Sequence, residues 1–413
     1  MPVLRRMDCM RNSSRPFLVL FVLFGPCGVV TLCQAQFPTP TVEFAPTTGG
    51  TVTVPVRNGL DMPVSLNGQP PVDVLFDTGT DTLLSTNLAR RLGLKLSGNV
   101  ALGGFGSGSR AAATAVVDTV QIGGLILHGV TFIVVDPPIA GSDEFAVLGV
   151  PLLSQVVTTV DYVRHRITFT DPQQFHYKGS VPPVPLNVQG NSVTIPGKID
   201  GTASTLQIDT GDVWSMEVVS AFVKQHDLVQ RYAATLHGYA GSGFGGDDTA
   251  FYTRVHTLEL GFSEVHEPVA FLSTDVAGMA ADSPFAANIG THILRQFTLI
   301  FDAPYQALYL EKSALYGQPD VFNRAGLMLD GDHDGLIVHT VLPGSPAATA
   351  GITEGDQILA INGRSVKQPK GTAAMSEAVG IDAFARPVGT TLELKVRHGK
   401  SVGTVILKLK EIL

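Results

Sequence analysis

The chain is expected to be mainly β, and three observations carry that expectation. Gly (44) and Pro (26) are frequent among the 413 residues, which cuts the chain into short segments joined by turns. Its apolar residues fall in short runs that alternate with polar ones, the period of half-buried strands. One pattern also occurs twice. A short apolar run ends in Asp-Thr-Gly at Val74-Leu75-Phe76-Asp77-Thr78-Gly79-Thr80, and again at Leu206-Gln207-Ile208-Asp209-Thr210-Gly211-Asp212. Three residues recur by chance, but two copies with similar flanks suggest one site assembled from two halves.

Composition bounds the class. Hydrophobic residues make up 44% and charged residues 15%, as in a globular chain with a large core. The cysteines are Cys9, Cys27 and Cys33, so neither a disulfide framework nor a cysteine metal site is available after residue 36. Arg5, Arg6, Arg11 and Arg15 precede an apolar run at 17–24, and Cys33-Gln34-Ala35 is a small-x-small triplet. Residues 1–35 thus have the form of a secretory signal peptide cleaved near Ala35, which implies a secreted or periplasmic protein. The alternative is an uncleaved membrane anchor. The run is short for a span and is interrupted by Gly25-Pro26. Residues 1–35 hold four arginines and one aspartate, so the net charge of −8 becomes −11 without them. That acidity argues against nucleic acid and anionic membranes as partners. No later segment has the length and apolarity of a membrane span.

Residues 36–50, rich in Pro, Thr and Gly, are expected to be a linker. Strands are expected at 51–56, 62–66 and 72–76, with Asn67-Gly68 as a hairpin turn between the last two. Ser85-Thr86-Asn87 should cap a short helix at 88–92 that Gly93 closes. A Gly-rich tip at 103–108 follows, then strands at 115–122, 125–127, 130–135, 146–150 and 167–169. The second block repeats this order: strands at 192–195 and 197–199 around Asp200-Gly201, then Asp209, a helix at 221–228 capped by Ser220, a Gly-rich tip at 238–246, and a strand at 254–260. The repeat is ungapped at its end. Residues 148–169 align with 289–310 at an offset of 141, pairing Gly149 with Gly290, Leu153 with Leu294, Gln155 with Gln296 and Asp161 with Asp302. The Asp-Thr-Gly offset is 132, so the intervening loops differ in length while the core elements persist.

From about residue 321 the texture changes. Ala325-Gly326-Leu327-Met328-Leu329 precedes a strand at 336–341, and Gly351, Gly355-Asp356 and Asn362-Gly363 follow. A helical segment near 373–385 and strands at 391–396 and 403–409 complete the chain.

Asp77-Thr78-Gly79-Thr80 with Leu92-Gly93-Leu94 and Val147-Leu148-Gly149, and then Asp209-Thr210-Gly211 with Asn288-Ile289-Gly290, resemble the retropepsin-like aspartic proteases of the pepsin/retropepsin clan, in tandem, as in secreted bacterial aspartyl proteases. The likeness covers about residues 50–312. It implies two retropepsin-like β-barrel lobes, at 51–172 and 184–314, forming a pepsin-like bilobal unit. It also implies that Asp77 and Asp209 are the catalytic pair. Peptide hydrolysis without metal or covalent intermediate needs one group to activate water and another to protonate the carbonyl, and two carboxyls sharing a proton provide both. Thr78, Gly79, Thr80, Thr210, Gly211 and Asp212 would support the active-site loops, the threonines by bonding across the pseudo-twofold axis. Asp212 departs from the Ser, Thr or Ala usual at its position. The Gly-rich tips would be flaps, with Phe105, Gly106, Tyr239 and Gly241 as candidates and Phe105 or Tyr239 touching the peptide; a plain hairpin loop is the alternative.

Residues 321–413 resemble a PDZ domain of the kind attached to bacterial secreted proteases. Gly326, Leu327, Met328 and Leu329 would then form the loop that receives a peptide C-terminus. The expected partners are a peptide or protein substrate and a C-terminal peptide ligand, with no cofactor, and a monomer as the active unit. The rival reading is a catalytically inert peptide-binding scaffold acting through the PDZ domain. Residues 330–335 imitate the start of a calcium loop, but Val341 stands where the bidentate Glu belongs, so a tight turn is expected. There is no His-Glu-x-x-His pair and no Gly-x-Ser-x-Gly frame.

Overall fold

Asn67 and Gly68 both take positive φ, 49° and 69°, the conformation a two-residue hairpin turn demands. They fold strand Asp61–Leu66 back on Val72–Phe76 in antiparallel register, Val64 opposite Val72. The computed structural model of the protein describes residues 37–57, 59–104, 108–136, 144–243, 245–367, 370, 372 and 381–413. The expected signal peptide and most of the helical segment at 373–385 lie outside them; within the latter, Ile381–Ala385 is a 3₁₀ turn.

The first block forms an eight-stranded sheet, in which Ser109–Ile122 pairs both Asp61–Leu66 and Leu125–Val134. The second block contributes a ten-stranded sheet, the largest in the molecule. A six-stranded sheet joins the blocks. At its centre Val157–Asp161 pairs antiparallel with Phe297–Asp302, and Thr159 faces Ile300, the residue 141 positions on. The two aligned segments of the repeat therefore pair with each other about a local twofold. One hydrophobic core runs through both blocks, with Phe76, Phe169, Ile208 and Phe301 among its members.

The expectation of two barrel lobes is not met. The largest sheet runs as an open path from Leu236–Gly243 to Ser263–His266, and its ends are not bonded to each other. An open sheet leaves an edge strand that needs cover. Here the cover comes from the C-terminal unit: Thr340 Oγ1 accepts the Tyr239 N–H at 3.0 Å and Asp330 accepts the Tyr239 hydroxyl at 2.8 Å.

Several elements differ locally from expectation. Thr41–Phe44, placed in the expected linker, is a strand paired with Leu125–His128. The runs at 125–127 and 130–135 are one strand, Leu125–Val134, which passes through Gly129 at φ 69°. Ser85 does cap its helix, accepting Leu88 N–H at 3.2 Å. Ser220 does not: it is the first residue of helix Ser220–Gln225, and its hydroxyl donates to Asp275 O instead. That helix stops before Asp227, which adopts φ 49°.

The C-terminal unit has its own sheet and core, with Leu327, Leu329, Leu336, Val338 and Phe384 buried inside it. Asp332 pairs directly with Gly335 across a tight turn, as expected for residues 330–335. Among the described residues no helix is long and apolar enough to cross a membrane.

Candidate functional site

Each Asp-Thr-Gly leaves the end of a buried strand whose neighbour is a short strand threaded between two others. In the first block Phe76 lies parallel to Leu148, and Leu83 lies antiparallel to Val147. In the second, Ile208 lies parallel to Ile289 and Met216 antiparallel to it. Gly149 and Gly290 follow the threaded strands. A methyl group on Gly149 would sit 2.2 Å from Thr80 O, and one on Gly290 2.3 Å from Trp214 O. No side chain fits there, so both glycines are needed to press the aspartate loops inward.

The two loops then interlock. The Thr78 N–H donates to Thr210 Oγ1 and the Thr210 N–H donates to Thr78 Oγ1, each at 3.1 Å. The Thr78 hydroxyl donates onward to Ile208 O at 2.6 Å, and the Thr210 hydroxyl to Phe76 O at 3.0 Å. Each loop's glycine packs on the other loop's carboxyl. A methyl group on Gly79 would lie 2.3 Å from Asp209 Cγ, and one on Gly211 2.1 Å from Asp77 Oδ2. The charge of Asp209 thus acts directly on the Asp77 carboxyl.

The surroundings of the two carboxyls are unequal. Asp77 Oδ1 accepts one N–H, from Gly79 at 2.8 Å. Asp209 Oδ1 accepts two, from Gly211 at 2.9 Å and Asp212 at 3.1 Å, and its Oδ2 accepts Asn288 Nδ2 at 2.9 Å. Burial holds the Asp77 carboxyl well above the ordinary carboxylate range, helped by the charge of Asp209 and the charge of Asp212, with the Gly79 N–H working the other way. Asp212 is pushed up to about 7 by burial and by the charge of Asp209, against the Trp214 N–H and the Asn288 amide. Burial and the charges of Asp209 and Asp77 also push the Tyr162 phenol up. A carboxylic acid and a carboxylate in contact can give one proton and take another in a single step.

Other residues expected at the site are placed as follows. Thr80 and Asp212 each accept, through their carbonyls, the N–H of the residue after the threaded glycine: Val150 at 3.1 Å and Thr291 at 2.8 Å. Phe105 and Gly106 lie outside the described residues. The two Gly-rich hairpins meet, Gly108 N–H donating to Gly245 O at 2.8 Å. A methyl group on Gly241 would stand 3.9 Å from Trp214 Nε1, so this hairpin passes beside the Asp212 loop. Tyr239 is held by the C-terminal unit. It is 7% exposed, its hydroxyl is bonded to Asp330, and its ring stacks on His339 at 4.0 Å. Among the described residues no group of three or more His, Cys, Asp or Glu is arranged to hold a metal ion.

Residues 62–152 match the family described as aspartyl protease, and residues 321–395 match the PDZ domain. The chain carries an aspartic-protease-family domain and a PDZ domain. The second Asp-Thr-Gly lies in neither matched range. No curated protein matches the chain. Among solved structures, the aspartic proteinase from Irpex lacteus is similar at 14% identity and a TM-score of 0.41, over 65% of this chain and 99% of that one.

In the PDZ domain, Gly326 at φ 74° packs on Ser345. Leu327 and Leu329 point into the domain's own core, while Met328 packs with Tyr239, Tyr252 and Phe271 of the neighbouring block. Strand Leu327–Asp332 ends its sheet, pairing only with Gly335–Val341 among the described residues. The domain also reaches the first block. The Thr372 hydroxyl donates to Asp73 O at 2.6 Å and accepts Ala146 N–H at 3.1 Å, bridging the strands beside Asp77.

Asn288 and Trp214 are the site residues that reading the sequence for roles passed over. Asn288 had a signal: at the offset of 141 it stands where the first block has Val147.

Proposed function

We propose that this chain is an aspartic endopeptidase in which Asp77 and Asp209 activate one water. The observation that carries the reading is the mutual packing of each Asp-Thr-Gly on the other, each glycine lying against the opposite carboxyl. One carboxylate takes a proton from the water as its oxygen attacks the peptide carbonyl. The other carboxyl gives its proton to the carbonyl oxygen, forming a neutral diol. On collapse the C–N bond breaks, the first carboxyl returns its proton to the leaving amine, and the second recovers one from the diol. The dyad ends as it began.

The finer reading follows from the sequence. The two blocks, 51–172 and 184–314, are copies of a retropepsin-like unit, and a single chain supplies both aspartates, so the active species is a monomer. Residues 321–413 dock peptide or govern access to the cleft; the place of Leu327–Asp332 at the end of its sheet among the described residues supports peptide addition there. Residues 1–35 direct the protein to the periplasm or outside the cell.

The test is cleavage of an unfolded protein by the full chain between roughly pH 4 and 7, with and without a transition-state-mimicking aspartic-protease inhibitor. Inhibitor-sensitive cleavage is expected, falling about a hundred- to ten-thousandfold in Asp77→Asn. No cleavage, or cleavage indifferent to that substitution, leaves the inert peptide-binding scaffold as the reading.

A further inference from the structure

In the first block three neighbouring strands set Leu75, Val147 and Leu83 side by side, Leu75 and Leu83 both opposite Val147. The corresponding strands of the second block set Gln207, Asn288 and Glu217 side by side, Gln207 and Glu217 both opposite Asn288. One row is apolar and the other polar, in the same place in the weave. Gln207 is 2% exposed and Asn288 0%. Polar groups substituted for Leu and Val in a core cost stability unless their hydrogen bonds are met. Here they are met only in part: Gln207 Oε1, Asn288 Oδ1 and Glu217 Oε1 have no hydrogen-bond partner among the described residues. A row kept at that cost is expected to do something beyond packing.

Two of its amides donate to the aspartate loops. Gln207 Nε2 reaches Gly79 O at 3.4 Å. The two amide hydrogens of Asn288 are divided between Asp209 Oδ2 at 2.9 Å and Asp212 Oδ2 at 3.0 Å. Turned over, the amide would set its oxygen against both carboxyls, so the nitrogen faces them. Val147 offers Asp77 no such donor. We propose that Asn288 is a positioning residue that holds Asp209 as the carboxylate and leaves the shared proton on Asp77. The inference rests on the dyad reading above.

The other titratable groups around the pair fit this. Asp77 has a single N–H donor and is raised by burial and by Asp209. Asp212, raised to about 7, adds no charge beside Asp209 at acid pH. Glu217 is raised by burial and by Asp248, with smaller effects from Asp212 and Asp275. Tyr162 is raised by burial and stays neutral. Beside the burial of Asp77, the unequal donor sets of the two carboxyls bear on where the negative charge rests.

The test uses Asn288→Leu, which keeps the shape and loses the donors, and Asn288→Val, which installs the first block's residue. Two quantities are read on the full chain: the carboxyl titration followed by carbon-13 NMR with labelled aspartate, and the pH profile of peptide cleavage. Loss of a hydrogen bond to a charged group should raise the first ionisation of the dyad, and with it the acid limb, by roughly one pH unit. A variant that melts like the parent, with titration and acid limb unmoved, overturns the proposal, because a packing role alone would lower stability without shifting the limb. If Asn288→Val does not fold, Asn288→Leu decides. A parent chain that cleaves nothing sinks the protease reading, while the NMR titration still decides the role of Asn288.

Discussion

Thr78 and Thr210 hold each other across the centre of the molecule, each hydroxyl accepting the other's backbone N–H at 3.1 Å and donating to a carbonyl of the opposite strand. Both residues are buried. Replacing either with Val keeps the shape but strands one N–H and one C=O without water to receive them. Each orphaned group costs about 1–3 kcal/mol. Thr78→Val and Thr210→Val should each lower the urea unfolding free energy by roughly 2–6 kcal/mol. Cleavage should fall with it, since the loops that carry the aspartates lose their mutual registration. An equilibrium urea titration within half a kcal/mol of the parent would show that the interlock carries little energy.

Gly79→Ala and Gly211→Ala address the aspartates more directly. Each new methyl would overlap the opposite carboxyl, at 2.3 and 2.1 Å. The carboxyls must then separate, so cleavage should drop to background in both variants. Inhibitor binding, measured by calorimetry, should be lost with it. Tight inhibitor binding by either variant would mean that the contact relaxes without parting the pair.

The buried acids give stability a definite pH dependence. Asp77, Asp212 and Glu217 all hold their protons in the fold above the range where an unfolded chain releases them. Their contribution is fully present below the unfolded value and is lost as pH rises through the folded one. For Asp212 that window runs from 3.8 to about 7. The thermal midpoint should therefore fall across this window, and Glu217→Gln, which cannot ionise, should flatten the fall. Melts of parent and variant over that range check it; parallel curves would remove Glu217 from the account.

The second hairpin, strands Leu236–Gly243 and Gly246–Arg254, is pinned by the PDZ domain through Tyr239. Tyr239→Phe removes the bond to Asp330, which is worth about 1.5–3 kcal/mol if the carboxylate is charged. Amide hydrogen exchange across 236–243 should speed up about tenfold or more, with little change at 72–76. Unchanged exchange would mean that the stacking on His339 and the Met328 contacts hold the hairpin alone.

Much of this was legible in the chain. Asn67-Gly68, Ser85 and Gly93 act through contacts a few residues away, and they lie where local rules put them. The Asp-Thr-Gly copies and the offset of 141 pointed to a two-part site, and Thr159 opposite Ile300 is the structural counterpart of that offset. The Ser220 cap was misread because an Asp275 carbonyl, 55 positions away, takes its hydroxyl. The partners of Tyr239 were hidden for the same kind of reason: Asp330, Thr340 and His339 reach it from another domain.

Short-range chemistry in the residues thus determined most of the strands, the hairpin and helix-end turns and each Asp-Thr-Gly by itself, because each depends on neighbours close along the chain. Tertiary contact alone decided that the largest sheet stays open, that the PDZ domain covers its edge, and that Asn288 donates to Asp209 and Asp212. Those depend on which buried donors and acceptors meet across a hundred or so positions, and no local pattern encodes such a meeting.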